Sequence, residues 1–374
     1  MTFRDAHTHL SSGAMDLADL DLRGLDADGA LVEVVREVSR RPAGRWIGGW
    51  GWHGDPTAKI ETLDRATPAH PVVLARADGH GAWLNLAARR VLGCAVPIVT
   101  EHDYDRLRPR LPRPTREDRM IAVARRAKAF ADDGVAAVDD IVESWAIGVY
   151  NELAERSELP LSVTMWTPDS LRTSAKEAYD AYATHAPLAF AGIKIFVDGT
   201  LGARTAALFE PYADDPETSG RLRSDPDDLN ARVKELAGRG YRVALHAIGD
   251  RAVDAALSAL ERAPKSPAGP HRIEHAQVVR ERDLPRFAAA GIVASVQPRH
   301  FFDDAAFREA RLGARDGVIS YPLASLARAG ATLLFGSDWP VSDHSPRAIL
   351  RAATDPDRGE EALGEAEALA AMTA

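Results

Sequence analysis

A chain of 374 residues exceeds the usual single-domain size, but one (β/α)8 barrel with an insertion accounts for it and leaves ample chain for a core. An apolar fraction of 45% and a charged fraction of 27% exclude wholesale disorder, and the net charge of −9, from 46 basic and 55 acidic residues, argues against a nucleic-acid or anionic-membrane surface. Cys94 is the only cysteine, which excludes an intrachain disulfide and a four-cysteine zinc site. The N-terminus has no basic start, apolar stretch and cleavage site, and no apolar run approaches the ~20 residues that span a bilayer. A cytoplasmic protein with no membrane or nucleic-acid partner is expected.

Short apolar runs, often β-branched and closed by a polar residue, Gly or Pro, mark the strands. The first is Thr2 to His7, within Arg4-Asp5-Ala6-His7-Thr8-His9-Leu10. Side chains two apart on a strand share a face, so Asp5, His7 and His9 point the same way. Two imidazoles side by side make a bite for a transition metal. Residues 11–115 change character, being rich in Gly, Pro and Trp. They contain two strand candidates, Trp46 to His53 and Val72 to Arg76, and Asp78-Gly79-His80-Gly81 leads into an expected helix from Ala82 to Leu92. This stretch reads as an insertion, a lid or wall, within a single barrel domain spanning 1–374.

Regular alternation follows. A helix is expected over Arg116 to Asp133, where Met120, Ile121, Val123, Ala124, Ala127 and Phe130 recur at helical spacing. Strands are expected at Val135 to Val138, Leu161 to Trp166, Gly192 to Val197, Tyr241 to Leu245, Arg272 to Glu274, Gly291 to Val296 and Thr332 to Phe335. Helices near 147–155, 229–237, 251–262, 284–290 and 360–371 separate or follow them. Strands alternating with helices imply parallel pairing, and a count of eight favours an α/β fold closed as a (β/α)8 TIM barrel with a long insertion after its first strand.

In such a barrel the side chains at the C-terminal ends of the strands converge. Candidate ligands stand there on strands one, four, five, six and eight: His7 and His9, Lys194, His246, His275 and Asp338. An ammonium flanked by Ile193, Ile195 and Phe196 is costly in a buried strand unless paired or neutralised. Taken singly each has a plainer reading: His7 and His9 two polar residues on a solvent face, Lys194 an ion pair with Asp198 or Glu274, His246 and His275 satisfied core histidines, Asp338 a helix N-cap. Convergence of all on one metal site is the simpler account.

These phrases resemble the amidohydrolase superfamily, and in particular amidohydrolase family 3. The resemblance rests on Asp5-Ala6-His7-Thr8-His9, Gly192-Ile193-Lys194-Ile195-Phe196-Val197-Asp198-Gly199, His246-Ala247-Ile248-Gly249-Asp250-Arg251-Ala252, Arg272-Ile273-Glu274-His275 and Gly336-Ser337-Asp338-Trp339-Pro340, together with Asp78-Gly79-His80 and Gln297-Pro298-Arg299-His300. It implies that His7 and His9 bind the more buried metal, that Lys194 is carboxylated and bridges two metals, that His246 and His275 hold the second, and that Asp338 ligates metal and shuttles a proton. The implied activity is hydrolysis of an amide or related non-peptide carbon–nitrogen bond of a small molecule by water whose pKa the metal lowers to about 7. Nitrogen and oxygen ligands suit zinc first, as one or two ions, with manganese, iron or cobalt as alternatives. An ester, lactone or phosphoester hydrolase on the same site, or a non-catalytic metal-containing sensor, stands as the alternative.

Substrate contacts are expected from Trp52, His53, Asp78, His80, Arg204 and His300, which combine aromatic surface with hydrogen-bonding groups in loops or just beyond strands. Members of the family usually carry a small β-sandwich outside the barrel. Only four residues precede Asp5 and the sequence stops at Ala374, so that sandwich is expected to be missing, with homo-oligomer contacts as one consequence.

Overall fold

Strand β1 (Phe3–Thr8) begins the first of two units into which the chain divides, Met1–Ser12 with Ala124–Ala374; the second is Gly13–Val123, against the 11–115 expected. The computed structural model describes residues 2–16, 20–76, 81–107, 110–111, 114–171, 177, 180 and 187–373.

The second unit is a five-stranded sheet in the order β2 (Leu20–Asp21), β3 (Ile47–Trp52), β4 (Val72–Arg76), β5 (Gly81–Leu84), β6 (Ile98–Thr100). Its first two pairings are parallel and its last two antiparallel. Both faces are covered. Val72 and Leu74 join Trp52 and Trp83 in one apolar cluster, while Val73 joins Ala82, Leu84 and Leu92 in another, as period-two alternation through a continuous apolar run requires. The helix expected from Ala82 is corrected here. Ala82 and Trp83 pair with Ala75 and Leu74, and the helix starts only at Leu86. Asn85 sets that boundary: its side-chain oxygen accepts the Ala88 N–H at 2.8 Å, satisfying a donor the first helical turn leaves free. Asp78 and His80 lie outside the described residues.

In the first unit β1 is followed by β7 (Val135–Ile141), β8 (Ser162–Pro168), β9 (Leu188–Phe196), β10 (Arg242–Ala247), β11 (Arg272–His275), β12 (Val278–Arg280), β13 (Val293–Val296), β14 (Val318–Ser320) and β15 (Leu333–Phe335). Eight of these form one sheet in the order β1-β7-β8-β9-β10-β11-β13-β15, every pairing parallel, while β12 and β14 make a separate antiparallel pair. All eight expected barrel strands are present. The two ends of the sheet meet: Thr8 bridges Trp339, the His9 N–H donates to Trp339 O at 2.8 Å and the Asp338 N–H to His7 O at 2.7 Å. The fold is an α/β (β/α)8 barrel.

Alternation along β10 shows how the barrel positions its site. Val243, Leu245 and Ala247 pack outward with Val253, Ala256 and Leu257 of the helix Asp250–Glu261. Ala244 joins Ile141, Trp166 and Ala191 in a separate cluster, and His246 follows it on the same face. Small residues permit the closure of the sheet. A Cβ on Gly336 would lie 2.6 Å from the His7 nitrogen, so only glycine lets the end of β15 approach β1. Among the described residues no helix is long and apolar enough to cross a membrane.

Candidate metal centre

His7 and His9 leave β1 on the same side, as strand geometry dictates. Each directs Nε2 at Asp338 Oδ1, at 3.3 Å and 3.2 Å. Asp338 is brought there by the Gly336–Pro340 turn, whose left-handed backbone at Asp338 (φ 56°) is held by its N–H donating to His7 O. Asp5 braces the same turn, accepting from the Ser337 N–H at 2.9 Å and the Ser337 hydroxyl at 2.5 Å. No helix starts at Asp338; the next one is Pro346–Thr354, so the N-cap reading fails.

His275 arrives from β11. Strict alternation would face Glu274 and His275 apart, as the sequence suggests, but His275 and Ala276 have φ of 76° and 44° and end the pleat. Both neighbours therefore reach His7: Glu274 Oε2 lies 2.5 Å from His7 Nδ1, and the His275 ring is centred 5.0 Å from that of His7. His246 from β10 stands 4.5 Å from His275, ring to ring. His300, just beyond β13, directs Nε2 toward Asp338 Oδ2 at 3.8 Å. Two groups thus have ligand atoms within 4.8 Å of one another, His7–His9–Asp338 and His275–His300–Asp338, with Asp338 common to both.

The partners of the rings fix which nitrogen each offers. Glu274 only accepts at His7 Nδ1, so that nitrogen carries a proton. Against burial and the Lys194 charge, Glu274 and Asp338 raise the pKa of the ring, so Nε2 offers its lone pair to a cation in exchange for a second proton. At His275 the partner is Gln297 Oε1, 2.8 Å from Nδ1, with Gln297 Nε2 directed at Ser295 O. His246 is turned the other way, its Nε2 donating to Gly199 O at 3.0 Å, which leaves Nδ1 free.

Beneath the histidines lies a charged layer. Arg272, fully buried, donates to Asp139 Oδ2 at 2.7 Å and pairs with Glu274; Asp139 also takes Arg4 and, at 3.1 Å, the Trp166 indole N–H. Burial alone would raise the Glu274 carboxyl, yet Arg272 and His7 hold it well below the usual carboxylate range. Burial would also raise Asp338, and the imidazoles of His7 and His9 likewise hold it well below. Lys194, 1% exposed on β9, is pulled down to about 8 by burial, and burial with the Lys194 charge takes His246 to about 3. The expected ion pair of Lys194 with Asp198 or Glu274 is not formed. Asp198 is occupied by the N–H groups of Ala207, Ile248 and Gly249, and Lys194 Nζ has no hydrogen-bond partner.

This chemistry fits a cation. Two carboxylates are held ionised, burial holds the His246 and His275 imidazoles neutral, and His7 Nε2 and Asp338 Oδ1 are buried polar atoms without hydrogen bonds, which a protein interior seldom leaves so.

The profile of the family described as Amidohydrolase family matches residues 2–373. The chain belongs to the amidohydrolase family. It is 31% identical, over an alignment of 398 positions covering 93% of this chain and 67% of the relative, to Protein LONG AFTER FAR-RED 3 of Arabidopsis thaliana. To the Putative amidohydrolase YtcJ of Bacillus subtilis (strain 168) it is 28% identical, with 96% of this chain and 74% of the relative covered. Among solved structures, an uncharacterized metal-dependent hydrolase from Pyrococcus furiosus superposes with a TM-score of 0.82 at 30% identity, over 98% of this chain and 80% of that one.

The other expected contacts of this amidohydrolase have separate fates. Arg204 pairs with Asp214 through Nε at 3.1 Å and Nη2 at 2.9 Å, so its guanidinium already has a carboxylate. Trp52 is fully buried in the second unit's core with its indole N–H on Leu74 O, and His53 is exposed there. Glu274 was weighed as a partner of Lys194 and as a residue able to orient a neighbour, while Arg272, Gln277 and Gln297 were not expected at the site. The first two carried a signal, since Arg272 and Glu274 share one face of a buried strand and such charges must be paired. The glutamines carried none, because their role depends on where two loops run.

Proposed function

We propose that this amidohydrolase hydrolyses an amide or related non-peptide carbon–nitrogen bond of a small molecule with a divalent cation, zinc first, held by His7, His9, His246, His275 and Asp338. The observation that carries this reading is Asp338, an ionised buried carboxylate shared by both ligand groups and left with an oxygen that makes no hydrogen bond. A divalent ion there supplies a Lewis acid and a water acidic enough to ionise near neutral pH. Asp338 takes the proton of the attacking water and returns it to the leaving nitrogen, as a general base and then a general acid. His7 and His275 hold their lone pairs inward because Glu274 and Gln297 fix the far nitrogen, so neither ring needs to reorient.

Lys194 is the site of carboxylation: its ammonium gives up one proton, the free amine attacks carbon dioxide and loses a second, and the carbamate supplies two oxygens. Its buried Nζ, which makes no hydrogen bond, supports this. Carbon-13 spectra of protein equilibrated with labelled bicarbonate should contain a carbamate line that Lys194→Ala abolishes.

The reading is tested by elemental analysis and by turnover of amide, lactone and phosphotriester panels before and after chelation. Amide cleavage lost on chelation and restored by metal is expected, and Asp338→Asn should lower kcat by about 100-fold or more with the fold retained. A metal-free active protein, or a strong preference for lactones or phosphotriesters, would overturn it.

A further inference from the structure

His300 stands apart from the other histidines in the polarity of its hydrogen bond. His7 and His275 each have an acceptor on Nδ1, Glu274 Oε2 and Gln297 Oε1, and His246 has one, Gly199 O, on Nε2. The partner of His300 Nδ1 is Gln277 Nε2 at 3.0 Å. With the Gln277 amide in this orientation its nitrogen donates, so His300 Nδ1 accepts and the ring's proton resides on Nε2. That Nε2 has no hydrogen-bond partner, the side chain is buried, and it is 3.8 Å from Asp338 Oδ2. By position His300 belongs to a group able to hold a metal; by tautomer it has no lone pair to give.

We infer that His300 is not a metal ligand but a catalytic hydrogen-bond donor, its Nε2–H directed at the carbonyl oxygen of the substrate, with Gln277 as the positioning residue that selects this tautomer. The inference rests on the amide-hydrolysis reading for the identity of that oxygen, and on the Gln277 contact for the donor assignment itself. As the water oxygen bonds to the carbonyl carbon, the carbon–oxygen π pair moves onto the carbonyl oxygen, and the His300 N–H bond strengthens its contact there without transferring its proton. When the carbon–nitrogen bond breaks, the pair returns to form the carbonyl and the nitrogen takes its proton from Asp338. His300 ends the cycle in the tautomer in which it began. A fixed donor aimed where charge develops is worth about 100-fold or more in rate.

The test uses the full-length protein, labelled with nitrogen-15 in its histidines and loaded with cadmium-113. Long-range proton–nitrogen correlation should give His300, assigned by its loss in His300→Gln, a protonated Nε2 with no cadmium coupling, while His7 and His275 couple through Nε2 and His246 through Nδ1. Cadmium coupling at His300 Nε2, or a proton on its Nδ1, overturns the proposal whatever the enzyme hydrolyses, so failure here is distinct from failure of the amide panel. His300→Gln and His300→Ala should keep metal content and metal affinity within about threefold, while kcat on the best amide falls about 100-fold in His300→Ala and less in His300→Gln. Loss of metal in both variants, or unchanged kcat in His300→Ala, also overturns it. Gln277→Glu presents an acceptor to Nδ1 and should move the His300 proton off Nε2; an unchanged His300 signature in that variant removes Gln277 from its role.

Discussion

His271 shows how a single ring can be committed by its neighbours far from the chemistry. Its Nδ1 accepts the Val243 N–H at 3.0 Å and its Nε2 donates to Pro264 O at 2.9 Å, so both nitrogens are used by the neutral form alone. Burial, aided by Arg242, pulls its pKa below the ordinary 6.5. As pH falls through 6.5 the unfolded chain takes up a proton that the native ring resists, so stability present above 6.5 is lost as the pH drops toward the native value. Urea melts from pH 7.5 to 5 should therefore show the wild type's advantage over His271→Asn shrinking with acid; an advantage independent of pH would sink this account. Glu274 is a second residue whose weight lies in what it orients. Glu274→Gln keeps an acceptor for His7 Nδ1 but removes the charge that pairs with Arg272 and polarises the imidazole. Metal affinity, measured by competition with a chelator, should fall about 10- to 100-fold, and an unchanged affinity would exclude the orienting role.

At the scale of elements, the site depends on how closely β1 and β15 approach. Gly336→Ala would set a methyl 2.5 Å from His7 Cβ and 2.6 Å from its backbone nitrogen, and a backbone atom in a paired strand cannot move aside cheaply. A loss of about 1–3 kcal/mol in folding stability is expected, with metal affinity falling alongside because His7 and Asp338 are the displaced parts. Stability lost without any change in metal affinity would place the clash outside the site. What the sequence made legible here follows from regular geometry. His7 and His9 share a face because strands alternate, and all eight barrel strands stand out as apolar runs, β10 with its outward Val243 and Leu245 among them. What escaped was set by departures from regularity. Glu274 and His275 both reach His7 only because two successive residues take left-handed backbone, and no spacing rule announces that. Gln277 and Gln297 become ring partners only through the paths of the loops after β11 and β13. The strand Gly81–Leu84 was hidden for another reason: Ala82, Trp83 and Leu84 suit a helix as well as a strand, and only the Asn85 cap divides them.

For the whole molecule, the seam of the barrel runs through the His7–His9–Asp338 group. The eight-stranded sheet begins at β1 and ends at β15, and the links between these ends include the Thr8–Trp339 bridge, the two backbone hydrogen bonds around it and the Asp5–Ser337 brace. His7 and His9 lie on one side of that seam and Asp338 on the other. A cation held by all three therefore ties the first strand to the last, and it does so only in the folded chain, since residues 7 and 338 have no fixed relation in the unfolded one. Binding restricted to the native state stabilises it by mass action, about 4 kcal/mol when free metal stands at 1,000 times its dissociation constant. Chelation should consequently lower the melting temperature of the wild type. The same treatment should change little in a variant lacking His7 and His9, and hydrogen exchange at the backbone amides of His9 and Asp338, which cross the seam, should accelerate on metal removal before exchange in β10 does. Equal acceleration throughout the sheet would mean that the ion stabilises the barrel without acting at its seam, and an unchanged melting temperature would mean that these residues do not hold it.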